Sequence, residues 1–517
     1  MFGYPSNTSI GEIVFQALQK DPEKVAQISD SEQTTLTKKE LLLNAIRIAT
    51  YLRNAGIRQD DIVGIVAQNT THLSALTFAL FFNGIAYHSL NPALEEATFQ
   101  KLLDITNPKI VFCNAENYDL LVRTSRKAKI IIMKPELSGV TSMEDILQTP
   151  IDLNSFRPLK LQHGVSQTLA IVSSSGTTGI PKAVTISNTH KLFETLDVLP
   201  SDIQYTPSTL DWISSLITLL TSVVVGTTRI ISERTFDPLH LIELVQKYQI
   251  TWLFHSPSHI NMLLSCSQIA PHKLDSVRLV LVGGGNSNVS TLQKLQTQLR
   301  HGIPVIIYGL TEAGSAITVN SNALVKRGSV GCLVPGFRVK IINEDGSALG
   351  PGEQGEICFN NGQPWAGYVG NPEETMRVRD DEGWIHTGDI GYMDSDHYLY
   401  IVDRKKDLLM YRGMKYYPQE IEQIIAEIPA VSEVCVFGIW SELESDAAAA
   451  AVVKNQNSQL SASEILDFVK SKISVKYKHL NGGVFIVNEL QKLPNGKLNR
   501  RAIKEACLRT QQINLYT

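Results

Sequence analysis

Helix-period and strand-period apolar patterns alternate along this chain from residue 36 onward, and that alternation restricts the fold more than any other feature. Residues 36–55 carry apolar side chains at helical spacing behind Lys38, Lys39 and Glu40, and 61–66 read as a short buried strand. A helix over 73–82 and a strand over 85–90 follow, with further strands at 109–112 and 129–133. The cycle recurs as helix 239–248, strand 251–254, helix 257–266 and strand 277–282. Such a βα rhythm predicts doubly wound parallel sheets covered by helices on both faces. Past Gly328 glycine-punctuated β patterns take over, at 337–342 and 355–359, which predicts a smaller β-rich subdomain.

At 517 residues the chain exceeds what one hydrophobic core supports, so two or more domains are expected. A charge cluster, DRKKD at 403–407, follows the strand-like stretch 398–402 and precedes roughly 110 residues with their own rhythm. That rhythm predicts a helix at 418–427, strands at 434–438 and 447–454, and a helix at 462–472. The expected fold is therefore α/β, with a large N-terminal domain over 1–402 and a small α+β C-terminal domain over 403–517.

Composition narrows the function classes. The net charge is −4 with acids and bases interleaved, which leaves no electrostatic footprint for nucleic acid or an anionic membrane. Cys113, Cys266, Cys332, Cys358, Cys435 and Cys507 stand far apart with no CxxC pair, against both a disulfide framework and a cysteine metal site. Reduced thiols and an N-terminal MFGYPSNTS without a basic, apolar leader suggest an intracellular protein. The uncharged run 212–228 approaches spanning length, but seven of its seventeen residues are Ser or Thr. It reads as a buried helix running into a strand, and no transmembrane segment is expected.

Several short motifs carry chemistry. SSSGTTGIPK at 173–182 brings five hydroxyls, two glycines and Lys182 into one loop flanked by apolar β patterns. Backbone N–H groups freed by glycine, hydroxyls and a mobile cation suit a polyphosphate, and the loop joins two strands rather than opening a helix. A polar surface hairpin is the competing reading. VLVGGGN at 280–286 ends a buried strand in Gly283, Gly284 and Gly285, which permits close approach by a flat ligand or forms a plain loop. In VIIYGLTEAG at 305–314, Tyr308 suits stacking on a base, Thr311 a phosphate oxygen and Glu312 a magnesium ion, unless Thr and Glu merely cap a strand end. TGD at 387–389 offers Asp389 to ribose hydroxyls, and LPNGKL at 493–498 puts Lys497 just past an Asn-Gly turn.

Taken in order and spacing, SSSGTTGIPK, YGLTE, TGD, DRKKD and PNGK resemble the acyl-activating (AMP-binding) superfamily, which includes acyl-CoA synthetases, 4-coumarate–CoA ligases and beetle luciferases. The resemblance covers nearly the whole chain, and phrases such as GYVGNPEET are similar to insect acyl-CoA synthetases and luciferases. It implies two steps with ATP, Mg²⁺ and CoA: a carboxylate becomes an acyl-adenylate with release of pyrophosphate, then a thiol displaces AMP. On that footing Ser173, Ser174, Ser175, Gly176, Thr177, Thr178, Gly179 and Lys182 form the phosphate loop, with Thr177 and Thr178 near the β- and γ-phosphates. Gly283, Gly284 and Gly285 lie beside adenine and the acyl chain, Tyr308 and Gly309 beside the adenine, and Asp389 on the ribose. The implied catalytic set is Lys497, bridging carboxylate and α-phosphate, with Thr311 on that phosphate and Arg404 nearby; Glu312 is the implied magnesium ligand. Residues 403–407, with Lys406 among them, become a hinge about which the C-terminal domain rotates between half-reactions.

The chain also departs from that pattern. Met410 stands where luciferase-like relatives carry a basic residue for the thioester step, with Arg412 two residues on. Residues 208–212, STLDW, lack the usual His before the acyl-pocket helix, and Ala183 replaces a Gly after the loop lysine. The expectation is an AMP-forming acid–thiol ligase acting on a small-molecule carboxylic acid, expected to be a fatty acid, with no nucleic-acid partner. An adenylate-former with weak thiol transfer and a non-catalytic ATP-binding paralogue remain alternatives. Relatives suggest a peroxisomal setting, although the C-terminal INLYT is not an SKL address, so a cytoplasmic one stays open.

Overall fold

The computed structural model describes residues 4–514 except 6, 126, 175–180, 190–196, 286, 442–444, 456–457 and 494–496. Two sheets organise the N-terminal domain. The smaller has six strands in the order Lys129–Ile132, Ile110–Cys113, Ile62–Val66, Ala86–Ser89, Thr168–Ser174 and Lys182–Ser187. Its first five strands are parallel, and the last turns back as an antiparallel hairpin that pairs Ser174 with Lys182. The strands on either side of the expected loop therefore pair with each other, and residues 175–180 between them lie outside the described residues.

The larger sheet runs through thirteen strands. Its parallel half places Ile303–Gly309, Leu279–Gly283, Trp252–His255, Ile203–Tyr205, Thr228–Ile231 and Val25–Ser29 side by side. Antiparallel returns at Ala316–Asn320 and Ser329–Leu333 carry the same sheet into the strands Leu399–Arg404, Ile385–Met393, Gly355–Asn360 and Arg338–Ile342. The β-rich stretch is therefore hydrogen-bonded into the larger sheet rather than forming a sheet apart.

Local sequence explains the elements. Helix Lys38–Asn54 begins two residues later than its apolar pattern because Thr37 and Glu40 close a capping box. The same device, Ser9 with Glu12 and Ser461 with Glu464, starts Ile10–Gln19 and Ala462–Lys472. Helix Leu73–Asn83 is buried on every side and stops at Gly84, whose φ of 64° ends the helix in the left-handed region. The uncharged run becomes helix Ile213–Val225 followed by strand Thr228–Ile231, and among the described residues no helix is long and apolar enough to cross a membrane.

Hydrophobic burial supplies the main cohesive force. One core packs the helices Ile10–Gln19, Lys38–Asn54, Leu73–Asn83 and Ile213–Val225 around the six-stranded sheet. A second lies between the larger sheet and the helices Pro238–Tyr248, Pro257–Leu264 and Val289–Gln298. The C-terminal domain has its own core, drawn from Tyr416, Ile421, Ile425, Val436, Ala450, Val452, Ile465 and Val469. Its sheet contains Met414–Tyr416, Leu409–Tyr411, Ser445–Lys454, Val431–Ser441 and Gly483–Val487. The chain leaves the larger sheet after Arg404 through one 3₁₀ turn, Lys405–Asp407.

Candidate active site

In parallel sheets the strand carboxyl ends leave a crevice where ligands bind. Here that crevice is a cavity of about 1040 Å³. Ser174 and Lys182 reach it from the hairpin, Gly283, Gly284 and Gly309 from strand ends, and Thr311 and Glu312 from the 3₁₀ turn Thr311–Ala313. Thr387, Gly388 and Arg404 line it from the antiparallel strands, Lys406 from the 3₁₀ turn Lys405–Asp407, and Leu493 and Lys497 from the C-terminal domain. Gly283 is glycine for a steric reason: a Cβ there would lie 2.6 Å from Ile307 Cγ1. The expected metal ligand Glu312 and the expected catalytic residues Thr311, Arg404 and Lys497 thus share one space.

Behind the wall, Asp389 sits at 3 % exposure. Tyr308 donates its hydroxyl to Asp389 Oδ2 at 2.7 Å, and Arg404 Nε lies 2.6 Å from Oδ1. Burial raises the Asp389 pKa, while Arg404, the Tyr308 hydrogen bond and Lys497 pull it down. Register explains the Arg404 contact, because Asp389 and Arg404 are directly paired across neighbouring strands. Tyr308 and Asp389 do not themselves line the cavity; they are bonded to each other, which differs from a Tyr308 ring and an Asp389 carboxylate facing a ligand unencumbered. A carboxylate has about four acceptor positions, so this pairing leaves Asp389 capacity for further donors.

Glu312 accepts a hydrogen bond from Tyr368 at 2.8 Å. Lys182 lies 4.7 Å from the centre of the same Tyr368 ring and forms an ion pair with Glu374, which also meets Arg377 at 2.7 Å. Desolvation lowers the Lys497 pKa, then Arg404; Asp389 and Glu312 oppose, and Lys406 adds to the lowering. Lys497 therefore lies within electrostatic reach of all four. Lys182, Arg404, Lys406 and Lys497 converging on one cleft make it attractive to a polyanion.

Of the expected set, Ser175, Gly176, Thr177, Thr178 and Gly179 lie outside the described residues, as do Pro494, Asn495 and Gly496 of the PNGK loop. Ser173 and Gly285 are described but do not line the cavity. Sequence reasoning did not single out Tyr368, Glu374, His255 or His259, all of which line it. The phrase GYVGNPEET contains Tyr368 and Glu374, but only the fold brings them to Glu312 and Lys182. Among the described residues no group of three His, Cys, Asp or Glu is placed to hold a metal ion, so a metal bound at Glu312 would need ligands from elsewhere.

Residues 14–369 match the family described as AMP-binding enzyme, and 420–497 match the AMP-binding enzyme C-terminal domain. The chain is 29% identical over 488 residues to a luciferin 4-monooxygenase of Nipponoluciola cruciata, spanning 90% of this chain and 88% of that protein. It is 26% identical over 525 residues to 4-coumarate-CoA ligase 1 of Narcissus pseudonarcissus, spanning 97% and 94%. The solved structure of ATP-bound MatB from Rhodopseudomonas palustris shares the fold, with a TM-score of 0.86 at 24% identity over 96% of this chain and 99% of that one.

Proposed function

This chain belongs to the AMP-binding enzyme family, and from that premise we propose that it is an AMP-forming acid–thiol ligase that converts a medium- or long-chain fatty or aryl acid to its CoA thioester. The observation that carries this reading is the convergence of Lys497, from the far end of the chain, with Thr311, Glu312 and Arg404 on one cavity. In the first step a carboxylate oxygen attacks the α-phosphorus of ATP, the bond to the bridging β-phosphate oxygen breaks, and pyrophosphate leaves. Two anions must approach each other, and a cation placed between them lowers the barrier. Lys497 supplies that cation, Thr311 donates to the α-phosphate, and Arg404 steadies Asp389 for the ribose. Glu312 would hold the magnesium ion, which offsets phosphate charge. Lys182 and the hydroxyls of the hairpin loop meet the outer phosphates.

In the second step the CoA sulfur attacks the acyl carbon, the acyl–oxygen bond breaks and AMP leaves. We infer a domain boundary at 402/403, with the C-terminal domain rotating about 403–407 between the steps. One specific observation favours the second reading, an adenylate-former with weak thiol transfer: Met410, 45 % exposed on strand Leu409–Tyr411, puts no charge where the resemblance implies a basic residue for the thioester step. Arg412 occupies the tight turn after that strand, at φ 48°, rather than the strand itself. The test is an assay of graded fatty and aryl acids with ATP and CoA, reading pyrophosphate and acyl-CoA separately. Both products support the ligase. Pyrophosphate without acyl-CoA supports the second reading, and neither product from any acid contradicts both.

A further inference from the structure

His255 and His259 lie in a part of the cavity that the adenylation chemistry does not use. His255 ends the strand Trp252–His255 and His259 sits near the start of the helix Pro257–Leu264; both line the cavity. The His255 strand is two places along the sheet from Ile303–Gly309, which leads to Thr311, with Leu279–Gly283 between them. At 4.7–4.9 Å per strand, the strand that carries His255 lies about 10 Å across the sheet from the one that leads to Thr311. Gly283 and Gly284, bare of side chains, leave the intervening path open, and Trp212, Ile213, Ile217 and Phe254 give the space apolar walls.

The two rings are built into their places. Phe236 stacks on His259 at 4.1 Å between centroids and meets His255 edge-on at 5.4 Å, and the Tyr205 ring lies 6.0 Å from that of His255. His255 is only 2 % exposed, yet neither of its ring nitrogens has a hydrogen-bond partner among the described residues, and His259 Nδ1 is in the same position. A buried polar atom left unpaired costs about 1–3 kcal/mol, so an apolar tail laid against these rings would leave that cost standing. Burial holds the pKa of His255 well below its ordinary value, and burial with a lesser contribution from Lys492 brings His259 to about 4. A neutral imidazole offers one N–H donor and one acceptor, which matches a hydroxyl or a carbonyl. Among the described residues no third His, Cys, Asp or Glu completes a metal centre here.

We propose that the acid activated by this enzyme carries a neutral hydroxyl or carbonyl group at the end far from its carboxylate, with an apolar stretch between, and that His255 and His259 select it. This rests on the ligase reading and refines its substrate class to oxygenated acids. The test measures kcat/KM for pyrophosphate release with length-matched acids: one unsubstituted, one with a hydroxyl or keto group at the far end, and one dicarboxylic. The oxygenated acid is expected to lead the unsubstituted one by at least about tenfold. His255→Leu is expected to bring that ratio close to one, and His255→Gln, which retains a donor and an acceptor, to preserve a preference. A wild-type preference for the unsubstituted or dicarboxylic acid, or an unchanged ratio in His255→Leu, overturns the proposal and leaves the ligase reading intact. Pyrophosphate release from none of the acids overturns both.

Discussion

Asp389 is buried, and two partners oppose the rise in its pKa that burial causes. The Tyr308 hydroxyl and the Arg404 guanidinium each stabilise one oxygen against the cost of desolvation. Removing one of them by Tyr308→Phe is expected to cost about 1.5–3 kcal/mol, the range for a hydrogen bond to a charged group, read as a lower urea midpoint. An unchanged midpoint would mean that the hydroxyl contributes nothing to holding the carboxylate. At this scale the sequence was partly legible. YGLTE and TGD announce Tyr308 and Asp389 as chemically useful, but nothing in either motif says that they bond across 81 residues. The same holds for Lys182 and Glu374, 192 residues apart. Pairings of this kind are set by strand register and loop return, which short-range patterns do not encode. His255 and His259 escaped notice because an isolated histidine carries no signal until its surroundings are known.

Elements were more legible than contacts, because periodicity is a local property. The helices over 73–82 and 239–248 and the strands over 109–112 and 129–133 fall within a residue or two of their observed bounds, and the displaced ends are where caps intervene. Strand order was not legible: nothing local says that Ala316–Asn320 and Ser329–Leu333 carry the larger sheet into the β-rich stretch. Two predictions belong here. Gly283 ends a strand against Ile307, so Gly283→Ala drives a methyl into that side chain. The expected cost is about 1–3 kcal/mol of stability, with weaker acid binding, measured by urea unfolding and by KM. The second concerns the join between the sheet and the C-terminal helix Pro418–Ile425. Asp403 accepts the amide of Gln419 at 2.9 Å and that of Arg404 at 2.7 Å. Burial nevertheless raises its pKa from the ordinary 3.8 to about 6. A folded pKa above the unfolded one gives stability that is complete below pH 3.8 and is lost as pH rises through about 6. Relative to Asp403→Asn, wild-type stability should therefore fall by about 3 kcal/mol across that window, followed by urea midpoints of both proteins. A pH-independent difference would contradict this account of Asp403.

Across the whole molecule, the C-terminal domain is docked with Lys497 in the cavity. Lys405, in the 3₁₀ turn that leaves the larger sheet, meets Glu356 at 2.8 Å, and Lys415 of the C-terminal domain meets Glu344 at 2.8 Å. Such pairs are weak, about 0–1 kcal/mol each, and would offer little resistance to the proposed rotation. Bridging the second pair with a short bis-maleimide after Glu344→Cys and Lys415→Cys should hold the docked arrangement. The bridged protein is expected to release pyrophosphate in its first turnover and to form acyl-CoA at least about tenfold more slowly, with both single-cysteine proteins as controls. Undiminished acyl-CoA formation would show that no rotation separates the steps.

We propose that Lys497, brought from the far end of the chain, lowers the barrier to joining a carboxylate to the α-phosphorus of ATP. The most direct test is a single-turnover comparison of wild type with Lys497→Ala, measuring adenylate formation from acid and ATP, and separately thioester formation from supplied acyl-adenylate and CoA. Adenylate formation should fall by about 10²–10³-fold, equivalent to 2–4 kcal/mol, while the thioester step changes little. Equal rates of adenylate formation in the two proteins, or an equal loss in both steps, would contradict the claim.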